Sequence, residues 1–238
     1  LGVLVSLALG IVGPVLLAPL FFRFRPLQDA ALRTRFQELA ARAQVPVVGV
    51  YEMGASAKTH RSNAAVMGFG RTRRVVITDT MLADYSPEEI ETVLAHELAH
   101  QKFLDPLKGL VVGAGVSLVM LALAALAYAA TYSALGFVSL HDMAALPLLV
   151  LYSAIVSEAL GPAELAWSRL REARADRFSL DTTRNPSAFS AAMVKLQDRN
   201  LGVANPRPWE KWLFYSHMPG RERVELARSF VSSAPTAG

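Results

Sequence analysis

Three stretches of the chain carry no charge and read as membrane spans. They are residues 1–22, residues 109–140, and residues 143–157, the last running on to Ala163 past the single Glu158. Each reaches the ~20 residues needed to cross ~30 Å of hydrocarbon. The second would be about 48 Å long as a helix, so it must tilt, bend or project from the bilayer. The first lacks a basic leader and a small-residue cleavage site, and so reads as a span rather than a signal peptide. The chain opens on Leu1 without an initiator methionine. That predicts a piece of a longer protein with further spans upstream.

Between the spans the pattern becomes amphipathic. Leu32, Phe36, Leu39 and Ala40 recur at helical spacing within Asp29–Gln44, and Pro46 ends that helix. Short strands follow at Val47–Met53, Ala64–Gly70 and Arg73–Thr78, the last two joined through Gly68 and Gly70. A further helix starts at Ser86, with Pro87 next and Glu89 completing a capping box. Tyr85 and Ile90 have the spacing of a hydrophobic staple, and Pro106 marks the end of this helix. The chain therefore divides into a transmembrane helix (1–22), a first polar half (23–108), a transmembrane hairpin (109–163) and a second polar half (164–238). The predicted fold class is mainly α: a multi-span helical membrane protein with a small β-hairpin or sheet.

Composition supports this division. Of 238 residues 53% are hydrophobic and 18% charged, which excludes a disordered chain. Twelve Lys and Arg lie between Arg23 and Lys108, twelve between Arg169 and Arg228, and none in between. Positive charge marks the cytoplasmic side. Both polar halves belong there, with the hairpin turn near His141 and Asp142 on the opposite side and the bilayer as an obligatory partner. A net charge of +4 and a pI near 9.6 come without any nucleic-acid motif, so no nucleic-acid partner is expected. The absence of cysteine excludes disulfides and thiolate metal sites. The tail from Ser232 to Gly238 is expected to fray.

The capped helix carries His96-Glu97-Leu98-Ala99-His100. Four residues apart, the two imidazoles project from one face and can share a zinc ion, with Glu97 placed to take a proton from its water. This is the H-E-x-x-H pattern of zinc peptidases, here on a zincin-type active-site helix. With 5 His in the chain, composition alone would produce roughly 0.005 such matches. A third ligand is still required. His60 lies in a polar loop, and His141 falls at the hairpin turn on the far side. The better candidates are Glu172 and Asp176, one turn apart on a helix leaving the third span. One can bind zinc while the other orients a ligating histidine.

These residues resemble the type-I CAAX prenyl proteases, membrane zinc metallopeptidases of the gluzincin type. The likeness runs from about Phe21 to Leu226. It rests on Ser62-Asn63-Ala64, Gly68-Phe69-Gly70 with Arg73-Arg74-Val75-Val76, and Asp79-Thr80-Met81-Leu82. His96 to His100, Ser168-Arg169-x-x-Glu172-x-x-Ala175-Asp176, Ser216-His217 and Glu222-Arg223 complete it. HtpX-type proteases share the zinc motif but match the Gly-Phe-Gly and Asp-Thr stretches less well. The resemblance implies one zinc ion held by His96, His100 and Glu172, with Glu97 as general base and Asp176 behind a ligating histidine. It implies that His217 stabilises the oxyanion, and that Arg223 anchors the nearby loop or contacts substrate. The segment Asn63, Ala64 and Ala65 would be an edge that pairs with extended substrate. Where the family usually has His-Pro, this chain has His217-Met218 followed by Pro219.

The expected function is membrane-embedded zinc endopeptidase at the cytoplasmic membrane face. Its substrates would be peptides or proteins, prenylated or membrane-inserted. The alternatives are an HtpX-like quality-control protease and a non-catalytic zinc-binding scaffold. The scaffold would be marked by loss of the base or third ligand, yet Glu97 and Glu172 are both present. A transporter would show more spans and paired broken helices. Trp209, Trp212, Phe214 and Tyr215 read first as an interfacial aromatic belt, and nothing in the sequence sets an oligomeric state.

Overall fold

A computed structural model describes residues 20–139, 142–199 and 205–233, together with positions 17 and 203. Most of the first expected span, His141 and the last five residues lie outside the described residues. The architecture is mainly helical with one small mixed sheet. In chain order the elements are β1 (Arg23–Pro26), α1 (Ala30–Arg42), β2 (Val50–Gly54), β3 (Ala64–Met67), β4 (Arg74–Thr78), α2 (Asp79–Asp84) and α3 (Pro87–Lys102). Then come α4 (Asp105–Thr131), α5 (Leu146–Thr183), α6 (Pro186–Arg199), α7 (Pro208–Phe214) and α8 (Gly220–Ser233).

The sheet order is β1-β2-β4-β3, with β2 and β4 parallel and the outer pairs antiparallel. The pattern did not predict β1, because Arg23-Phe24-Arg25-Pro26 has neither length nor apolar content. It is a strand only because β2 supplies its partners, and arginine and proline are tolerated on a sheet edge. The β3–β4 hairpin forms as expected. Gly68 has φ +97°, and a Cβ there would stand 2.5 Å from the Thr72 carbonyl oxygen, so only glycine fits. The short helix α2 was also unforeseen. Thr78 ends β4 and caps α2 in one residue, its hydroxyl accepting from the Met81 N–H at 3.2 Å.

Helix α3 starts as its sequence dictates. The Glu89 carboxylate accepts the Ser86 N–H at 2.7 Å, and the Ser86 hydroxyl accepts the Glu89 N–H at 3.3 Å. Its apolar face, Ile90, Val93, Leu94 and Leu98, packs into a core with Phe36 and Leu39 of α1, Val75 and Ile77 of β4, and Phe189 of α6. The helix stops at Lys102, short of Pro106. Leu104 is left-handed, with φ +56°, and Asp105 begins a new helix that includes the proline.

Among the described residues, helices α4 and α5 are the two candidate spans, and only 6% of the most apolar window of each is buried in protein. They pack on each other, joined by a Thr131–Tyr152 hydroxyl bond of 2.7 Å. The Gly161-Pro162 pair does not interrupt α5, which runs 38 residues through it. A membrane-type helix tolerates the missing N–H when neighbouring groups and local adjustment absorb it. The continuity has a consequence for function. The exposed apolar half of α5 is rigidly joined to its last turns, which bury Glu172, Asp176, Ser179 and Leu180. Ser179 donates to the Thr92 carbonyl at 2.6 Å, tying that end of α5 to α3.

Candidate metal centre

Two helices packed face to face each present a pair of residues one turn apart, His96 and His100 on α3 and Glu172 and Asp176 on α5. The imidazole rings meet edge to face, with centroids 4.8 Å apart. Their Nε2 atoms lie 3.1 Å from each other. The Glu172 carboxylate faces both rings, Oε2 lying 3.4 Å from His96 Nε2 and Oε1 3.5 Å from His100 Nε2. Opposite Nε2, each ring is tied to a carboxylate through Nδ1. His96 lies 2.8 Å from Asp176 and His100 2.9 Å from Asp105.

These bonds decide what the centre can hold. An imidazole donating Nδ1–H to a carboxylate presents Nε2 as a bare acceptor. Two such nitrogens and a carboxylate oxygen then converge with no donor among them, which is repulsive unless a cation lies between. Tetrahedral zinc, with bonds of about 2.0–2.1 Å, separates its ligand atoms by about 3.3 Å. One ligand atom from each of the three residues lies within 4.8 Å of the others, and the two Nε2 atoms are 3.1 Å apart, so this donor set suits a zinc ion. In the metal-free chain a proton takes its place. Burial alone would lower the His96 pKa, but the bonds to Asp176 and Glu172 outweigh it and raise the value to about 9. Metal uptake at neutral pH therefore displaces that proton.

Beside this cluster lies a cavity of about 590 Å³ lined by Glu97, His217, Arg223 and Asn63, with apolar walls from Val93 and Met193 among others. Glu97 is half-buried and has no hydrogen bond or ion pair among the described residues, leaving its carboxylate free toward the cavity. His217 sits on the α7–α8 loop. Arg169 of α5 holds the start of that loop through the carbonyls of Lys211 and Tyr215 at 3.1 and 2.7 Å. The ring is largely exposed, and its Nδ1 lies 2.8 Å from the Glu172 carboxylate, beside the cluster rather than across the cleft. Arg223 bonds Asp176 with Nε at 2.8 Å and through Nη2. It thus backs His96 while also lining the cavity.

The Asn63, Ala64 and Ala65 segment enters at the edge strand β3. Asn63 lines the cavity and its backbone is clamped by Thr78, whereas Ala64 is buried and neither alanine lines the cavity. His60 stands exposed outside the cluster. Glu158 is exposed on α5, about 21 Å along the helix from Glu172 at 1.5 Å per residue. Asp105 was missed. The one available signal was an acid five residues after His100, and that spacing places nothing together without the left-handed turn at Leu104.

Comparison with known proteins places this geometry. The model of peptidase family M48 matches residues 26–231. An uncharacterized metalloprotease of Bacillus subtilis, YhfN, is 34% identical over 229 residues, 93% of this chain and 53% of that protein. The CAAX prenyl protease 1 homolog of Oryza sativa is 32% identical, covering 92% of this chain and 52% of its own length. The crystal structure of Ste24p from S. mikatae superposes with a TM-score of 0.76 at 24% identity, over 93% of this chain and 55% of that one, which shows a shared fold. The chain spans about half the length of the curated relatives it matches.

Proposed function

The chain belongs to peptidase family M48, and from that premise we propose that it is a membrane-bound zinc endopeptidase. The observation that carries this reading is the convergence of His96 Nε2, His100 Nε2 and the Glu172 carboxylate, with each ring's Nδ1 tied to a carboxylate, beside a cavity that Glu97 lines.

Zinc held by these three residues would supply a nucleophilic hydroxide at neutral pH and polarise the scissile carbonyl. Glu97 takes one proton from the attacking water and delivers it to the leaving amine as the C–N bond breaks, and the remaining acid proton then passes to the amine, giving a carboxylate and an ammonium group. His217 donates to the developing oxyanion, at the ligand side of the cavity where a preorganised donor counts most. Asp176, gripped by Arg223, keeps the His96 ring oriented. The edge strand entered through Asn63, Ala64 and Ala65 is where an extended peptide would pair, through backbone groups other than those of Asn63, which Thr78 holds. Helices α4 and α5 embed in the bilayer, with the site on the cytoplasmic side. Substrates are peptide segments reaching the membrane surface. Relatives named as CAAX prenyl proteases point to prenylated C-termini, and membrane-protein quality control is the alternative.

The test is cleavage of a quenched fluorescent peptide by the detergent-purified chain beside Glu97→Gln, with zinc counted in both. The expected result is one zinc in each and a loss of about 10²- to 10⁴-fold in the variant. Equal rates would remove Glu97 from the chemistry, and a zinc-free, fully active chain would end the proposal.

A further inference from the structure

Asp105 opens the spanning helix α4, yet its carboxylate does not serve that helix. No side chain caps the start of α4. Asp105 is instead 3% exposed, with one oxygen 2.9 Å from His100 Nδ1 and the other bonded to Arg174 Nη2. Arg171 adds a bond to the Asp105 carbonyl at 3.3 Å. Both arginines are themselves held over rings, Arg174 at 4.2 Å from the Phe103 centroid and Arg171 at 3.9 Å from that of Trp167. Had α3 continued unbroken, residue 105 would lie about 140° around the axis and 7.5 Å along from His100, out of reach. The left-handed Leu104 folds it back. A residue in that conformation is uncommon outside glycine, asparagine and aspartate, so the turn is imposed by what it brings together.

We infer that Asp105, steered by Arg174, is a positioning residue for His100. It holds the proton on Nδ1 and sets the ring plane so that Nε2 faces the metal, as Asp176 with Arg223 does for His96. Each metal-binding histidine is thereby oriented by a carboxylate on a different spanning helix, α4 for His100 and α5 for His96. The inference rests on the metal reading above but concerns binding rather than turnover.

The experiment measures zinc affinity of the full chain in detergent by competition with a chromophoric chelator, and the visible absorption of the cobalt-substituted protein. Wild type should bind one ion per chain; failure to do so would overturn the metal reading and this inference with it. Asp105→Ala should bind about 10- to 100-fold more weakly, with an altered cobalt band. Asp105→Asn keeps an acceptor for Nδ1–H and should stay close to wild type. Arg174→Gln, at a partly solvent-open position, serves if Asp105→Ala does not fold, and should weaken binding several-fold. Ser86→Ala destabilises a distant helix start and should leave affinity unchanged, separating positioning from general loss of stability. Wild-type affinity in Asp105→Ala, or in Arg174→Gln where the former is unfolded, overturns the inference. So does an Asp105→Asn chain as weak as the alanine variant.

Discussion

Replacing Arg223 with methionine would strand a charge in the interior. Asp176 has no exposed side-chain surface, Arg223 is 16% exposed, and two guanidinium bonds join them. Methionine keeps an unbranched apolar side chain at that position and removes the cation. Breaking a buried pair from one side costs about 3–5 kcal/mol, because the remaining carboxylate has lost its water and its partner together. His96 still bonds Asp176, so the lower end applies and a loss of about 3 kcal/mol is expected. The assay is denaturant unfolding of the metal-free chain in mild detergent at fixed pH, followed by tryptophan fluorescence. A second variant isolates the cause. Adding Asp176→Asn removes the stranded charge but keeps an acceptor for His96, so the double variant should be more stable than Arg223→Met alone. A loss below about 1 kcal/mol, the range of exposed pairs, would refute the reasoning. A double variant less stable than the single would refute it equally.

Two further outcomes are expected. Ser86→Ala should cost about 1 kcal/mol by removing the acceptor for the Glu89 N–H, read as a shift in denaturation midpoint. Asp79 contributes to the acid limb of stability. Burial would raise its pKa, but the Ser56 hydroxyl and the N–H groups of Ala55, Ser56 and Thr80 outweigh that and hold it below the usual carboxylate value. A folded-state value below the unfolded ~3.9 contributes stability that is present at higher pH and lost as pH falls through the folded value. Asp79→Asn should therefore lower stability at neutral pH and flatten its decline in acid, checked by unfolding at a series of pH values.

The two halves of the site differ in how visible they were. His96 with His100, and Glu172 with Asp176, were legible because helical rise and turn fix i, i+4 neighbours whatever the rest of the chain does. The start of α3 was legible for the same reason, since Ser86, Pro87 and Glu89 satisfy one another within a single turn. Apolar length alone marked α4 and α5 as candidate spans.

Only the tertiary structure decided the rest. Asp176 reaches His96 across 80 residues and Arg223 reaches Asp176 across 47, distances over which no local rule constrains approach. Strand β1 exists because β2 lies beside it, and β2 pairs parallel with β4 because β3, between them in the chain, turns back antiparallel along the far edge of β4. Asp105 meets His100 because Leu104 adopts a conformation its own side chain disfavours. Short-range spacing is set by backbone geometry and survives in any context. Contacts between distant segments exist only where burial of the α3 core face and of the Glu172–Asp176 turn forces them together, and that is a property of the packed whole.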